Sequence, residues 1–364
     1  MFIGLFGTGR NGSSLLTGLL DGLEKTYVHP NEIIFLSAIN DLNKSKYISK
    51  KTLHFNHKNF SNKKMESFNI NNLLIYYENE FNKTKNLIKD NLVNENNLDY
   101  KFTVKHKLAQ SKDIIEFCYN YLEESAKWSS DIKFENYLFK TSEVSHLEKY
   151  QEIFPNMKFI HIIRNPLDVI DSGVRRTREN KNPLDRTEWY LGGDTILTML
   201  KRWRIHSNFI IKNRNNKNHI CIKYEDLIDN ELDVINYISS WLGLIPPKKP
   251  MISTILYNNR LKRLPENIGS SNTETPFTVN RNLKLKYSYK FSLEKQEVDL
   301  IVYYLFQNAK YFGYFDNLNL ISKMQILISW FLPKNFEFNN VNTNRRKTYT
   351  IYRILVRRLK IIFL

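Results

Sequence analysis

The chain of 364 residues carries 54 Lys and Arg against 37 Asp and Glu, a formal net charge of +17 at pH 7, and is 42% hydrophobic and 13% aromatic. This composition supplies a sizeable core and excludes a disordered, collagen-like or disulfide-scaffold chain; Cys118 and Cys221, set among apolar neighbours, read as small buried residues. The positive excess suits nucleic acid, a membrane surface or a phosphorylated ligand, and equally suits the Lys- and Asn-rich drift of an AT-rich genome. Residues 2–6 form an apolar run ending at Gly7, the pattern of a buried strand, with no basic segment ahead of it to make a signal peptide. No window reaches the roughly 20 apolar residues that span a bilayer, so a cytoplasmic protein is expected. Leu15, Leu16, Leu19, Leu20 and Leu23 recur at helical spacing behind Ser13 and Ser14, and a second strand at Tyr27-Val28 leads to His29-Pro30. The stretch 41–131 is polar and Asn/Lys-rich with helical patches at 73–81 and 113–128; it is expected to be a helical insertion over the site, or a divergent surface. The alternation then resumes: strand 137–139, helix 145–154, strand 158–163, a helix from Pro166, strand 219–224 and helix 229–242. A Pro-rich break at 246–250, a polar loop at 267–280 and a helix at 293–311 follow. Strands alternating with helices predict an α/β fold, a parallel sheet flanked by helices that binds ligands at the carboxyl ends of its strands. A catalytic domain is expected over 1–317, with a basic, apolar tail over 318–364.

Two strand-to-helix junctions carry the chemistry. Gly7-Thr8-Gly9-Arg10-Asn11-Gly12-Ser13-Ser14 places backbone N–H groups where they can cradle an anion. In the register G-x-x-x-x-G-K-[ST] the glycines and Ser14 fit, but Ser13 stands where a nucleotide-hydrolysing loop has its lysine. No apolar strand ends in a magnesium-binding Asp; strand 158–163 ends in Arg164. The loop therefore reads as holding an anion with protein cations and no metal, the bland alternative being a connector without a ligand. At the second junction Arg164 is followed by Asn165 as helix cap, Pro166 at the first helical position, Ser172 two turns on, and Arg175 and Arg176. Two such pockets on one sheet suggest a nucleotide with phosphates at both ends.

At these residues the chain resembles the P-loop sulfotransferases that use 3′-phosphoadenosine 5′-phosphosulfate, PAPS. Gly9 to Leu16 is similar to the family's 5′-phosphosulfate loop, and Phe159 to Ser172 to its 3′-phosphate segment. Lys140-Thr141, Tyr224-Glu225-Asp226-Leu227 with Trp241-Leu242-Gly243, and Ile268-Gly269-Ser270-Ser271-Asn272 with Phe312-Gly313-Tyr314 resemble its remaining motifs, in order over 1–40 and 133–316. The resemblance implies a sulfuryl transfer from PAPS to an acceptor hydroxyl, releasing PAP, without metal. It implies Gly9, Arg10, Asn11, Gly12, Ser13 and Ser14 around the 5′-phosphate, Arg164 and Ser172 on the 3′-phosphate, and Arg176, Tyr224, Ser271 and Lys284 as further cofactor contacts. Arg10 and Lys140 would stabilise charge on the phosphosulfate bridge.

The chain also departs from the family. Asn11 replaces the usual Ser, and Ser142 stands where cytosolic members place a catalytic His. Glu32, at the position where tyrosyl-protein and many carbohydrate members have a base, is the chosen base, expected at a buried strand end; Glu143 and His146, expected on the outer turn of a helix, are held in reserve. His54 and His57 read as surface residues. Glycan, lipid headgroup, small metabolite and protein tyrosine stay open as acceptors, with a carbohydrate or glycolipid preferred by analogy. The alternatives are a P-loop nucleotide or sugar kinase and a non-catalytic basic module for nucleic acid or membrane. In the tail, Ile351, Ile354, Leu355, Leu359, Ile362 and Phe363 fall largely on one helical face beside Arg353, Arg357, Arg358 and Lys360, so it is expected to dock on the domain or on an anionic membrane.

Overall fold

The computed structural model describes residues 1–33, 35–36, 108, 110–127, 133–179, 194–248, 293 and 295–316. Most of the expected insertion, His54 and His57, the loop with Ser271 and Lys284, and the tail 318–364 lie outside the described residues. The described elements are β1 (Phe2–Phe6), α1 (Ser13–Leu19), β2 (Thr26–Glu32), α2 (Ile114–Lys127), β3 (Asn136–Thr141), a short 3-10 turn (Val144–His146), α3 (Leu147–Ile153), β4 (Lys158–Ile163), α4 (Pro166–Glu179), α5 (Asp194–Lys212), β5 (His219–Lys223), α6 (Tyr224–Asp229), α7 (Glu231–Leu242) and α8 (Lys295–Tyr311).

The strands form one sheet in the order β2-β3-β1-β4-β5, and every pairing is parallel. Strands in such a sheet are apolar on both faces, and successive side chains divide between them. Phe2, Phe6, Tyr137, Phe139 and Phe159 join an aromatic core with α2 and α3, while Ile3, Leu5, Leu138, Ile160 and Ile162 join an aliphatic core with α1 and α7. A third core joins α4, α5 and α8 around Leu200, Trp203, Leu300 and Leu305. Each such fully buried side chain contributes about 1.5–3 kcal/mol by leaving water.

Topology decides where a ligand fits. From β1 the chain crosses to β2 on one side, and from β4 it crosses to β5 on the other, so the loops after β1 and β4 part at a switch point between adjacent strands. Both anion-binding junctions expected from the sequence leave the sheet there.

Two expectations change. α5 falls where no element is expected from the sequence, although Ile196, Leu200, Trp203 and Ile210 recur at helical spacing and are buried; the run Lys201-Arg202-Trp203-Arg204 interrupts the apolar pattern. Tyr224, expected as the last residue of a strand, opens α6.

Candidate active site

Gly7 to Gly12 turns from β1 into α1 by means of two left-handed residues, Arg10 at φ 76° and Gly12 at φ 91°. A left-handed non-glycine is costly and collects at functional loops. Gly12 is required for a second reason: a Cβ there would lie 2.2 Å from the Tyr224 ring. Asn11 is fully buried; its Nδ2 donates to the Ile162 carbonyl at 2.6 Å and its Oδ1 accepts from Ser13 N–H at 3.3 Å. Its side chain thus ties the loop to β4.

Arg10 reaches across the switch point. Its Nε donates to Ser172 Oγ at 3.0 Å, and Arg164 Nη1 donates to the Arg10 carbonyl at 3.5 Å. The two junctions, read separately in the sequence, therefore form one continuous cationic surface. Arg164 lies 4.4 Å over the Tyr224 ring and 3.5 Å from the Asp168 carboxylate. Asn165 caps α4 as expected, accepting from Leu167 N–H at 3.0 Å.

On the other side of the loop, Lys140, next to last in β3, is a buried lysine and donates to Ser14 Oγ at 2.9 Å. Glu32 sits opposite it in the β2–β3 register, after a shift that brackets Pro30; proline has no N–H to give a ladder and is confined to edges and bulges. Glu32 is exposed, not buried as expected, because β2 is the edge strand. Its Oε1 accepts from Ser142 N–H at 2.8 Å.

The reserve residues also move. Glu143 and His146 are buried, because the 3-10 turn packs against α5 and α3 instead of standing on an outer face. Glu143 Oε2 accepts from Tyr150 O–H and from Leu36 N–H at 3.2 Å. Burial, and then the Glu143 charge, push the Tyr150 hydroxyl well above the usual tyrosine range.

A sequence model of the sulfotransferase family matches residues 3–247, about two thirds of the chain and every junction just described. The chain belongs to the sulfotransferase family. A comparison with curated proteins finds no match. Solved structures similar to this sulfotransferase include the sulfotransferase domain from the curacin biosynthetic pathway, 16% identical over 86% of this chain and 98% of that one with a TM-score of 0.48. Also similar are the sulfotransferase domain of the Synechococcus PCC 7002 olefin synthase (17% identical, 87% and 96% covered, TM-score 0.49) and retinol dehydratase in a complex with retinol and PAP (15% identical, 88% and 83% covered, TM-score 0.35).

Three supports of the sulfotransferase site escaped the sequence reading. Trp203 on α5 donates its indole N–H to the Arg164 carbonyl at 3.0 Å. Glu225 accepts from Asn165 N–H at 3.1 Å and from the Tyr314 hydroxyl at 2.8 Å, tying the start of α4 to the chain just after α8. Arg202, also on α5, donates to the Ser142 carbonyl. Helical periodicity would have found α5, but nothing in the sequence aims these groups at the site. Of the expected contacts, Arg176 lies on α4 with its side chain outside the described residues, as are Ser271 and Lys284. Among the described residues no group of three His, Cys, Asp or Glu is placed to hold a metal, and no helix is long and apolar enough to cross a membrane.

Proposed function

We propose that this sulfotransferase takes PAPS as donor and transfers its sulfuryl group to a hydroxyl of a carbohydrate or glycolipid, releasing PAP. The observation that carries the donor reading is the continuous surface of Arg10, Ser172 and Arg164 at the switch point, with Lys140 and Ser14 beside it. The donor set fits a ligand with two separated anionic groups: three cations and two hydroxyls converge there, and a Cβ at Gly9 would meet only open space.

In this reading Arg164 and Ser172 hold the 3′-phosphate, and the N–H groups of Gly12, Ser13 and Ser14 surround the 5′-phosphate. Lys140 and Arg10 stabilise negative charge developing on the bridging oxygen as the S–O bond breaks. Glu32 takes the proton of the acceptor hydroxyl as that oxygen attacks sulfur in line, and its exposed place at the sheet edge leaves room for a large acceptor. The preference for a carbohydrate rests on the position of Glu32 in the family resemblance.

Thermal shift separates the donors. PAP should raise the melting temperature well above AMP, ADP or ATP with magnesium, through linkage to the folded state; equal shifts with ATP and magnesium would return the kinase reading. Transfer of labelled sulfate from PAPS to glycan and lipid extracts identifies the acceptor, and label appearing only in protein tyrosine would overturn the carbohydrate assignment.

A further inference from the structure

After β3 the chain leaves the sheet at Ser142, where no ladder holds it, and the residue is fixed by hydrogen bonds on both of its backbone groups. Its N–H donates to Glu32 Oε1 at 2.8 Å. Its carbonyl accepts from Val144 N–H at 2.8 Å and from Nη2 of Arg202, which reaches in from α5. Arg202 Nε is buried and has no hydrogen-bond partner, an arrangement that raises the cost of keeping this arginine. Burial pulls the guanidinium below the ordinary arginine value, and the charges of Glu32 and then Glu143 oppose that pull.

We propose that Arg202 is a positioning residue for Glu32: through the Ser142 carbonyl it fixes the N–H that aims the Glu32 carboxylate. A glutamate at the exposed end of an edge strand has three rotatable side-chain bonds and no packing to choose among its rotamers. A general base must stay within hydrogen-bond reach of the proton it removes. The Ser142 N–H selects one orientation of the carboxylate, and a charged donor on the following carbonyl keeps that N–H in place. The functional consequence rests on reading Glu32 as the base.

The amide proton of Ser142 reports this directly, because a backbone N–H bonded to a carboxylate follows its titration. In the full chain with PAP bound, the Ser142 resonance should titrate with pH, and Glu32→Gln should abolish the titration, which separates Glu32 from Glu143, His206 and Lys140 nearby. Arg202→Gln should shrink the titration by about half or more, because the charge-assisted bond that holds Ser142 is lost. Arg202→Lys, which keeps the charge, should restore part of it, and the PAP-induced thermal shift should be unchanged in both. A purely structural arginine would lower the melting temperature of Arg202→Gln and leave its titration intact, and that outcome overturns the proposal. Should Arg202→Gln not fold, Arg202→Met, which also removes the donors, carries the same test. The base reading fails separately, if Glu32→Gln transfers labelled sulfate as well as wild type while the Ser142 titration still depends on Arg202.

Discussion

The donor half of the site and the acceptor half are built in different ways. Around Arg10 and Arg164 the groups come from two short contiguous segments that bond each other directly: Arg10 to the Ser172 side chain, Arg164 to the Arg10 carbonyl, Asn11 to the Ile162 carbonyl of β4. Around Glu32 they come from β2, the end of β3 and α5, and the contact between Glu32 and Arg202 runs through one backbone residue, Ser142. On the proposed reading, the donor half, which must match two anions, is built locally, whereas the acceptor half is assembled by distant elements that can differ without disturbing the donor.

The largest expected effect isolates the acceptor half. Glu32→Gln should lower transfer of labelled sulfate by roughly 10²–10⁴, the usual yield of general-base catalysis, and leave the PAP thermal shift near wild type. Loss of PAP binding in that variant would erase the distinction between the halves.

Arg164→Ala tests the other side. Removing a guanidinium from an anion costs about 1.5–3 kcal/mol per charged hydrogen bond, so calorimetry should show PAP affinity falling roughly 10- to 100-fold while AMP affinity barely changes. An equal loss for AMP would place Arg164 on the wrong phosphate.

Acid should act through the layer beneath the acceptor half. His161 Nδ1 lies 3.2 Å from His206 Nε2 and its Nε2 lies 3.1 Å from His219 Nδ1, and His206 is one helical turn from Arg202. Burial lowers all three: His206 to about 3, with the Arg202 charge adding to the effect, and His219 to about 4; the charges of His206 and His219 also lower His161. Because the folded values lie below the unfolded 6.5, the unfolded chain binds more protons in that window. Stability is then full above pH 6.5 and falls as pH drops toward 4. Urea midpoints at pH 7 and pH 5 measure this, and His206→Leu should flatten the dependence; a midpoint independent of pH would contradict it.

The smallest effect belongs to one hydroxyl. Ser172→Ala should weaken PAP by about 1 kcal/mol, roughly fivefold, read by the same calorimetry. A larger loss would mean that Arg10 depends on Ser172 for its orientation.

Sequence by itself determined the parallel α/β layout, because buried strands followed by capped helices leave contiguous signatures: the apolar runs at 2–6 and 158–163 became β1 and β4, and Asn165-Pro166 opened α4 as read. It also marked the loop proposed to hold the donor, whose glycines, arginine and hydroxyls lie within a few residues of each other. Tertiary structure alone decided the rest. It merged two anion sites into one by folding Arg10 onto Ser172, turned Asn11 inward to β4, and set Arg202 and Trp203 of α5 beneath the site. It also exposed Glu32 and buried Glu143, reversing what their positions suggested. The physical reason is common to all: a side chain's neighbours at a sheet end are set by strand order and by which helix packs across it, and neither quantity is written in local spacing.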